Sequence, residues 1–465
     1  MVEKSQRIFG TSGIRGSIST KVTPDLALGL GQALGTFLKG VGTVGVGTDY
    51  RTSREMLKNV FLAGLTSTGV DVVDLGIATM PAVASHSDME GVSVSVIITA
   101  SHNPSTDNGF KFFVKGREFI RSEEEFLENR IRSKEYLVAD WKNIGQVVTW
   151  NIRKPYLRKV KEFVLNRGGK GEGIKILLDL ANGAAVDYTP QLFRELEFSV
   201  TSINSHPDGH FPGRPAEPSP KNLQETMKMA ANADFAVTIA HDGDGDRIAV
   251  IDEDGRFIDQ NRVIALFAQD EVKRKGGGTV VVSIDTSSVI DELVTSAGGD
   301  IVRMPLGSLQ EELAKRPRTE IALASEPWKP IFPELGYWMD GVAGAARFAQ
   351  MVAEQGEGSC IKLMKSIPEY PMLRDFIRCE DSLKACFVSE VKETLVSELS
   401  GVDKVLEVDG IRVERNDGSY VLIRPSGTEP KARVYIGART QATLDNLEKE
   451  ARDVMQRAMD NCKKK

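Results

Sequence analysis

The sequence predicts an α/β fold in several domains, followed by a smaller α+β domain at the C-terminus. Strand-like and helix-like segments alternate through roughly the first 360 residues, and the pattern then changes. The length of 465 residues allows three or four domains at about 100–200 residues each. We place the boundaries near residues 150, 255 and 365, which gives domains 1–150, 151–255, 256–365 and 366–465.

The first part of the chain reads as repeated β–α–β units. "VGTVGVGTD" (41–49) is typical of a strand, "SREMLKNVFLAGLTSTG" (53–69) of a helix and "VDVVDLG" (70–76) of the next strand. This order favours sheets with helical crossovers. Four further apolar runs of strand length are predicted as buried strands, at 174–181, 235–240, 278–285 and 320–325.

The C-terminal part differs. "FIRCEDSLKACFVSEVKETLVSEL" (376–399) predicts a helix. Two or three strands follow within 405–439, joined by Asp-Gly and Asn-Asp-Gly turns, and 441–461 predicts a last helix. We interpret this segment as the small α+β domain.

Composition narrows the function classes. Hydrophobic residues make up 41% and charged residues 27%, as in globular enzymes, and the net charge of −6 comes without a basic stripe. We therefore expect no nucleic-acid partner. The N-terminus has no apolar signal region and no run approaches the ~18 apolar residues of a membrane span, so we expect a cytoplasmic protein with no membrane partner. Nothing in the sequence indicates the oligomeric state.

The four cysteines all lie in the last quarter of the chain. None forms a Cys-x-x-Cys pair, so their spacing fits neither a disulfide scaffold nor a zinc site. We expect a reducing compartment. The four are Cys360, Cys379, Cys386 and Cys462.

Three predicted strands end directly in unusual polar loops. "VSVIIT" runs into "ASHNP", "FAVTIA" into "HDGDGDR" and "IALAS" into "EPWKP". Ligands of open α/β sheets bind at the carboxyl ends of strands. We expect the three loops to meet at one site.

The second of these loops carries Asp242, Asp244 and Asp246, separated by glycines. Three carboxylates this close repel one another unless a cation lies among them. Oxygen ligands favour a hard cation, Mg²⁺ before Ca²⁺. Two alternatives are a solvated acidic turn and an EF-hand loop with Glu253 at its twelfth position. The EF-hand pattern requires glycine where Arg247 stands, and helices where the flanks read as strands.

The first loop carries Ser101, which lacks the Gly-x-Ser-x-Gly context of an acyl hydrolase. A serine at a strand end is commonly a cap or turn residue. Beside a divalent cation, however, a serine suits phosphoryl transfer. His102, Asn103 and Lys111 could then orient or protonate reacting hydroxyls.

A fourth string, "RPSGTEPKAR" (424–433), predicts an anion-binding loop that would surround a phosphate. Arginine offers a bidentate fork, hydroxyls donate and glycine exposes backbone N–H groups. The alternative is a surface hairpin turn. "FGTSGIRG" (9–16), with Arg15, and "GTDYRTSR" (47–54), with Arg51, are weaker strings of the same kind.

Together these strings resemble the α-D-phosphohexomutase superfamily of phosphoglucomutases, phosphomannomutases and phosphoglucosamine mutases. The matching pieces are "FGTSGIRG", "TASHNPSTDNGFK", "DGDGDR" and "RPSGTEPKARV", in family order across nearly the whole chain. The N-terminal helices are most similar to the archaeal and bacterial branch. The resemblance implies four domains around a central cleft, three of them mixed α/β and the fourth a smaller α+β domain.

The resemblance also implies roles for residues. Ser101 would be the phosphoserine, and Mg²⁺ would be held by Asp242, Asp244 and Asp246 with a phosphoserine oxygen. The residues around the transferring group would be Arg15, His102, Lys111 and Arg247. Those holding the substrate's other phosphate would be Arg424, Ser426, Gly427, Thr428 and Arg433.

The implied reaction is a mutase reaction on a small sugar phosphate. Phosphoserine gives its phosphoryl group to a sugar hydroxyl, a bisphosphorylated sugar forms, and its other phosphate returns to the serine. In a hexose phosphate, the reaction would move the phosphoryl group between the C1 and C6 oxygens. The bisphosphorylated sugar would also prime the enzyme by phosphorylating the serine. Phosphoglucosamine or phosphomannose/phosphoglucose is the expected substrate.

The sugar-recognition loop departs from the family pattern Gly-Glu-x-Ser-Gly. Glu326 matches it, but Pro327 and Trp328 stand where the family has a polar residue and serine. An indole only donates a hydrogen bond, so Trp328 cannot replace the serine as an acceptor. We expect Glu326, Trp328 and Lys329 to contact the sugar. The alternatives are a phosphopentomutase, a Mg²⁺-dependent phosphatase, and a non-catalytic phosphosugar-binding protein.

Overall fold

The computed structural model of the chain describes residues 7–356, 358–425 and 430–464. These residues form alternating strands and helices in two compact units. The first unit comprises Met1–Gln260 and Gln310–Ser366, and the second comprises Asn261–Leu309 and Ile367–Lys465.

The strands follow in chain order: β1 (Ile14–Ser17), β2 (Thr43–Thr48), β3 (Asp71–Ile77), β4 (Val94–Ile98), β5 (Asp107–Val114), β6 (Arg117–Glu118), β7 (Val147–Thr149), β8 (Lys175–Asp179), β9 (Ser199–Ile203), β10 (Val237–His241), β11 (Ile248–Ile251), β12 (Thr279–Ser283), β13 (Asp300–Met304), β14 (Ile321–Glu326), β15 (Lys329–Ile331), β16 (Met372–Arg378), β17 (Val402–Leu406), β18 (Ile411–Arg415), β19 (Tyr420–Pro425) and β20 (Lys431–Gly437).

The α-helices are α1 (Pro24–Phe37), α2 (Arg54–Thr66), α3 (Met80–His86), α4 (Arg121–Ser133), α5 (Arg153–Leu165), α6 (Thr189–Glu195), α7 (Gln224–Ala231), α8 (Gln260–Lys275), α9 (Val289–Ser296), α10 (Leu309–Leu313), α11 (Gly341–Ala353), α12 (Cys360–Met364), α13 (Lys384–Glu398) and α14 (Gln441–Lys464). Short 3₁₀ turns cover Ala184–Asp187 and Asp381–Leu383.

The first unit begins with a seven-stranded sheet in the order β1-β5-β4-β2-β3-β7, with β6 paired to β5. Strands β2, β3, β4 and β7 run parallel, whereas β5 is antiparallel to β1 and β4. The central strands β2, β4 and β5 are buried on both faces along nearly their whole length, as parallel strands covered by helices are. The carboxyl ends of β2 and β4 therefore lie side by side.

A second sheet of the first unit has the order β11-β10-β8-β9. Strands β8, β9 and β10 are parallel, and β11 turns back antiparallel to β10. The loop that joins β10 to β11, residues 242–247, contains Asp242, Asp244 and Asp246, and we call it the aspartate loop. Farther along the chain, β14 and β15 form an antiparallel hairpin whose last pair is Glu326 with Lys329.

The second unit contains the parallel pair β12 and β13 and a five-stranded antiparallel sheet in the order β16-β20-β19-β18-β17. Helices α13 and α14 contribute apolar residues to one core with this sheet, including Phe387, Val434 and Leu447. Buried Arg412 on β18 donates to the carbonyls of Ile284 and Thr286 after β12, at 2.7 and 2.8 Å.

The predicted fold class is confirmed: mixed α/β sheets with helices are followed by a C-terminal domain with an antiparallel sheet. The strands predicted at 41–49, 70–76, 174–181, 235–240 and 320–325 are β2, β3, β8, β10 and β14. The prediction of two or three C-terminal strands was wrong, because the sheet has five. The strand β16 was missed, and its end overlaps the start of the predicted helix. Its residues alternate between half-buried and exposed positions and none is fully buried, so the apolar alternation typical of a strand is weak in the sequence.

The cysteine spacing also did not predict the disulfide between Cys386 on α13 and Cys462 on α14. These cysteines are 76 residues apart in sequence, and packing of the two helices brings their Cα atoms to 5.9 Å. In the described ranges, no helix combines the length and apolar character that crossing a membrane requires.

Candidate active site

Ser101 follows β4 at the carboxyl edge of the first sheet and is fully buried. Its backbone is left-handed, with φ of 50°, a region that is uncommon for residues other than glycine. Its Oγ donates a hydrogen bond of 2.5 Å to Asp242 Oδ2. The predicted phosphoserine loop and the predicted metal loop are therefore in direct contact.

The aspartate loop is compact because of its glycines. A Cβ added to Gly243 would lie 2.6 Å from the Ser101 carbonyl oxygen, so this close approach requires glycine. Gly245 has φ of +76° and turns the chain back on itself. Strands flank the loop on both sides, which excludes the EF-hand, and the burial of its carboxylates excludes a solvated turn.

The three carboxylates of this loop fit a cation site. One oxygen each from Asp242, Asp244 and Asp246 lies within 4.8 Å of the others. Oδ1 of Asp244 and Oδ1 of Asp246 are buried and accept no hydrogen bond from the described residues. Burial, and then repulsion from Asp246 and Asp244, raises the pKa of Asp242 well above its usual range. A bound cation would satisfy these oxygens and relieve this repulsion.

Lys111 on β5 lies on one side of the aspartates. Its Nζ is 2.7 Å from Asp246 Oδ2 and 3.6 Å from Asp244 Oδ2. Burial lowers the pKa of Lys111, but attraction to the two carboxylates outweighs it and the net shift is upward. For Asp246, burial raises the pKa, but Lys111, Lys329 and other nearby cations reverse the shift and hold the pKa well below its usual range.

His102, the neighbour of Ser101, lies between two arginines. Its Nδ1 is 3.4 Å from Ser101 Oγ and 3.4 Å from Arg15 Nη1, and its Nε2 is 3.5 Å from Arg247 Nη2. Burial, reinforced by Arg247 and Arg15, lowers the pKa of His102 to about 2. The imidazole is therefore neutral and surrounded by positive charge, as an anion-binding site requires.

The β14–β15 hairpin brings the third predicted loop to the same place. Lys329 Nζ is 3.8 Å from Asp246 Oδ2 and 3.8 Å from Glu326 Oε2. Pro327 followed by Trp328 at φ of 73° matches a type II turn, whose third position normally takes glycine. The half-buried Trp328 ring packs against Phe257, with centroids 5.3 Å apart.

The predicted phosphate cradle belongs to the second unit. Arg424 at the end of β19 forms an ion pair of 2.8 Å with Asp409, and Arg433 faces it on β20 in the strand register. Ser426, Gly427 and Thr428 lie outside the described residues.

Sequence reasoning missed three buried residues around Ser101, namely Asp49, Arg51 and Thr99. Arg51 was predicted only as part of a weak anion-binding string at 47–54, whereas the residue is fully buried. A signal existed, since "DYR" (49–51) follows β2 directly and β2 is the parallel neighbour of β4. Residues just after β2 must therefore lie beside the Ser101 loop.

Four sequence profiles of the phosphoglucomutase/phosphomannomutase family match the chain. The three α/β/α domains match residues 6–137, 154–255 and 259–370, and the C-terminal domain matches residues 378–454.

Whole proteins match along nearly their full length. A phosphopentomutase from Thermococcus kodakarensis is 42% identical, covering 99% of this chain and 100% of its own. A protein named probable phosphoglucosamine mutase, from Methanopyrus kandleri, is 38% identical over 98% of this chain and 99% of its own.

Among solved structures, a phosphoglucomutase/phosphomannomutase family protein from Burkholderia thailandensis superimposes with a TM-score of 0.87. It is 26% identical, and the match covers 98% of each chain. The chain therefore belongs to the phosphoglucomutase/phosphomannomutase family of the α-D-phosphohexomutase superfamily, with relatives in its archaeal branch, and is an intramolecular phosphotransferase of the sugar-phosphate mutase type.

Proposed function

We propose that the enzyme carries its phosphoryl group on Ser101 and moves it between two oxygens of a sugar phosphate. The observation that carries this proposal is the 2.5 Å hydrogen bond from Ser101 Oγ to Asp242 within a group of three buried aspartates. Burying three carboxylates around a serine is costly unless a cation lies among them, and such a cation could also bind a phosphate carried on the serine.

We assign the cation site to Asp242, Asp244 and Asp246, and Mg²⁺ as the ion. Carboxylate oxygens without nitrogen or sulfur ligands favour a hard cation. When bound, the ion supplies positive charge that neutralises charge developing on the transferring phosphoryl oxygens.

In the proposed transfer, the bond between phosphorus and Ser101 Oγ breaks as a sugar hydroxyl oxygen bonds to phosphorus. The sugar hydroxyl gives its proton to a nearby base and Ser101 Oγ takes up a proton as it leaves phosphorus, so the product is a bisphosphorylated sugar with unmodified Ser101. The return transfer runs the same step backwards with the other phosphate. We assign proton handling to His102, since its Nδ1 lies 3.4 Å from Oγ. Arg15, Lys111 and Arg247 supply positive charge around the phosphoryl group.

The second phosphate of the bound sugar needs a holder of its own, and we assign it to the C-terminal string from Arg424 to Arg433. The five residues are Arg424, Ser426, Gly427, Thr428 and Arg433. The domain boundaries near 150, 255 and 365 belong to the same proposal, and the ranges matched by the family profiles support them. The cytoplasmic location stays a prediction.

Two sugars are candidates. A hexose phosphate, with transfer between the C1 and C6 oxygens, follows the wider family and the relative named probable phosphoglucosamine mutase. A pentose phosphate, ribose or deoxyribose, is favoured by the altered turn Pro327–Trp328 and by the 42% identical phosphopentomutase. In both cases Glu326 and Lys329 are the assigned sugar contacts, and a sugar contact of Trp328 stays a prediction.

The phosphoserine is tested by intact-mass analysis after priming with a sugar bisphosphate. We expect one added phosphoryl group in the wild type, its loss in Ser101→Ala, and its retention in Ser95→Ala. Ser95 is a matched control, because it is also fully buried and lies on β4, where it hydrogen-bonds His86. Wild-type protein that never acquires phosphate under any priming condition would refute the proposal.

The sugar is tested with a panel of 1-phosphates of glucose, glucosamine, mannose, ribose and deoxyribose. A mutase converts one of them into its isomer without net release of phosphate. Free phosphate without an isomer would instead identify a phosphatase, and binding without either product would identify a phosphosugar-binding protein.

A further inference from the structure

Arg51 lies next to the segment that follows β4, and all five of its N–H donors make hydrogen bonds. Its Nε donates to Asp49 Oδ2 at 3.2 Å. The two terminal nitrogens donate to four backbone carbonyls between β4 and the start of β5, the segment we call the Ser101 loop (residues 99–107). These are the carbonyls of Ser101 (2.8 Å), Asn103 (2.7 Å), Pro104 (2.5 Å) and Asp107 (2.8 Å).

This arrangement explains how the loop keeps an unfavourable backbone. Ser101 has φ of 50°, and such a conformation persists only where the surroundings over-determine it. Arg51 binds the carbonyl of Ser101 itself and three carbonyls that follow it in the chain, and the Phe211 ring lies over the guanidinium at 5.0 Å. A lysine could not reproduce the contacts, because it has three donors and no planar fork.

Thr99 completes the arrangement on the other side. Its hydroxyl donates to Asp49 Oδ2 at 2.7 Å, accepts from the Ser101 N–H at 2.9 Å and lies 3.2 Å from Asp244 Oδ2. One hydroxyl thus touches the serine backbone, the partner of Arg51 and one of the predicted cation ligands.

We propose that Asp49, Arg51 and Thr99 are positioning residues that hold Ser101 Oγ at the aspartate cluster for phosphoryl transfer. This inference rests on the proposed role of Ser101. Among the described residues, none of the three hydrogen-bonds Ser101 Oγ, the atom that would carry the phosphoryl group. Arg51 is fully buried with its donors directed to Asp49 and to backbone carbonyls, so we do not assign it to a phosphate cradle.

The first test is Arg51→Lys, with Arg347→Lys as a matched control. Arg347 is a buried arginine on α11 of the same unit, within 3.5 Å of Glu354. We measure the rate at which Ser101 acquires phosphate from a sugar bisphosphate, the KM for the sugar phosphate, and folding by circular dichroism. In Arg51→Lys we expect the rate to fall about 100-fold, as misplacement by about 1 Å can cause. KM stays within about twofold, because the substitution leaves the assigned sugar contacts Glu326 and Lys329 unchanged. Arg347→Lys keeps the wild-type rate, because Arg347 lies on α11, away from the Ser101 carbonyl that Arg51 binds.

The second test covers the case in which Arg51→Lys does not fold. Thr99→Val keeps the shape and removes the hydroxyl, whereas Thr99→Ser keeps the hydroxyl. We expect a fall of about 10-fold or more in the phosphorylation rate for valine, because a buried donor and acceptor lose their partner, and near wild-type rates for serine. Wild-type rates per folded molecule in Thr99→Val would overturn the inference. Wild-type protein that takes up no phosphate would instead overturn the proposed function itself.

Discussion

Lys111 Nζ lies 2.7 Å from Asp246 Oδ2, so one side of the aspartate cluster carries its own counter-charge. Asp242, which accepts from the Ser101 hydroxyl, has no such cation at contact distance among the described residues. This asymmetry explains why the pKa of Asp246 is lowered whereas burial and its acidic neighbours raise that of Asp242. Asp242 therefore benefits most from a bound cation.

Asp242→Asn separates cation binding from stability. Removing one buried negative charge relieves repulsion, so we expect the metal-free variant to be at least as stable as the wild type. Mg²⁺ should raise the unfolding temperature of the wild type, because binding at 100 times Kd adds about 2.7 kcal/mol to the free energy of unfolding. Mg²⁺ should not stabilise the variant. We expect activity to fall at least about 100-fold, because the cation contributes several kcal/mol to the transition state.

Thermal scans with EDTA, Mg²⁺ and Ca²⁺ check this prediction. Asp252→Asn is a suitable control, because Asp252 is buried after β11 but accepts backbone N–H bonds from Asp254 and Arg256 instead of lying in the cluster. An equal Mg²⁺ shift in Asp242→Asn and wild type would contradict the proposed cation site.

Trp328 occupies a turn position that costs a bulky side chain roughly 1–2 kcal/mol in backbone energy. Packing of its ring on Phe257 offsets this cost, and we expect it to anchor the turn between Glu326 and Lys329. Trp328→Gly should therefore relieve the backbone but release the loop, and we expect KM for the sugar phosphate to rise about 10-fold. Trp328→Phe keeps an aromatic anchor and should stay within about threefold of wild type. Steady-state kinetics decide, and equal KM values in all three proteins would contradict an anchoring role.

Sequence patterns predicted the parts of the site that depend on local order. Apolar runs that stop at Ser101, Asp242 and Glu326 are visible without a structure. Each loop lies at the carboxyl end of its strand, where ligands of open α/β sheets bind. The three strands β4, β10 and β14 belong to different sheets, so the meeting of the loops depends on packing between sheets. The strand β12 was also visible as an apolar run, at 278–285.

Long-range packing was not predictable in the same way. The burial of Arg51 depends on carbonyls some 50 residues away in the chain. The direction of the Trp328 ring depends on Phe257, and the pairing of Cys386 with Cys462 depends on how α13 and α14 pack. No local periodicity reports contacts of this kind, because residues distant in sequence decide them.

Glu128 on α4 binds the backbone of the N-terminal segment at Ile8 and Phe9, and its ionisation makes the free energy of unfolding depend on pH. It accepts the backbone N–H groups of Ile8 and Phe9 at 3.0 Å each and a bond of 2.7 Å from Arg121. Burial raises the pKa of Glu128, but these hydrogen bonds outweigh it and lower the pKa from 4.5 to about 2. Since the folded pKa lies below the unfolded one, this stabilisation is complete above about pH 4.5 and is lost as pH falls through about 2.

Glu128→Gln should therefore cost about 1–3 kcal/mol of unfolding free energy at neutral pH. We expect the gap to wild type to shrink steadily as the pH is lowered from 4.5 towards 2, measured by urea unfolding at several pH values. Glu125→Gln on the same helix is the control, because this glutamate is exposed and pairs only with Arg121 among the described residues. A gap that stays constant with pH would show that the ionised carboxylate is not the stabilising group.

The Cys386–Cys462 disulfide should stabilise the second unit, because it closes a long loop between α13 and α14. For a separation of 76 residues, the chain-entropy argument gives at most about 4.5 kcal/mol. Reduction, or Cys462→Ser, should lower the unfolding midpoint of the C-terminal domain, and reduction should not change Cys462→Ser further. Cys379→Ser is the control, since Cys379 is buried in the same core but lies outside the disulfide. Thiol titration of the unfolded protein gives the direct check: two thiols should react before reduction and all four after it, and four reactive thiols without reductant would contradict the bond.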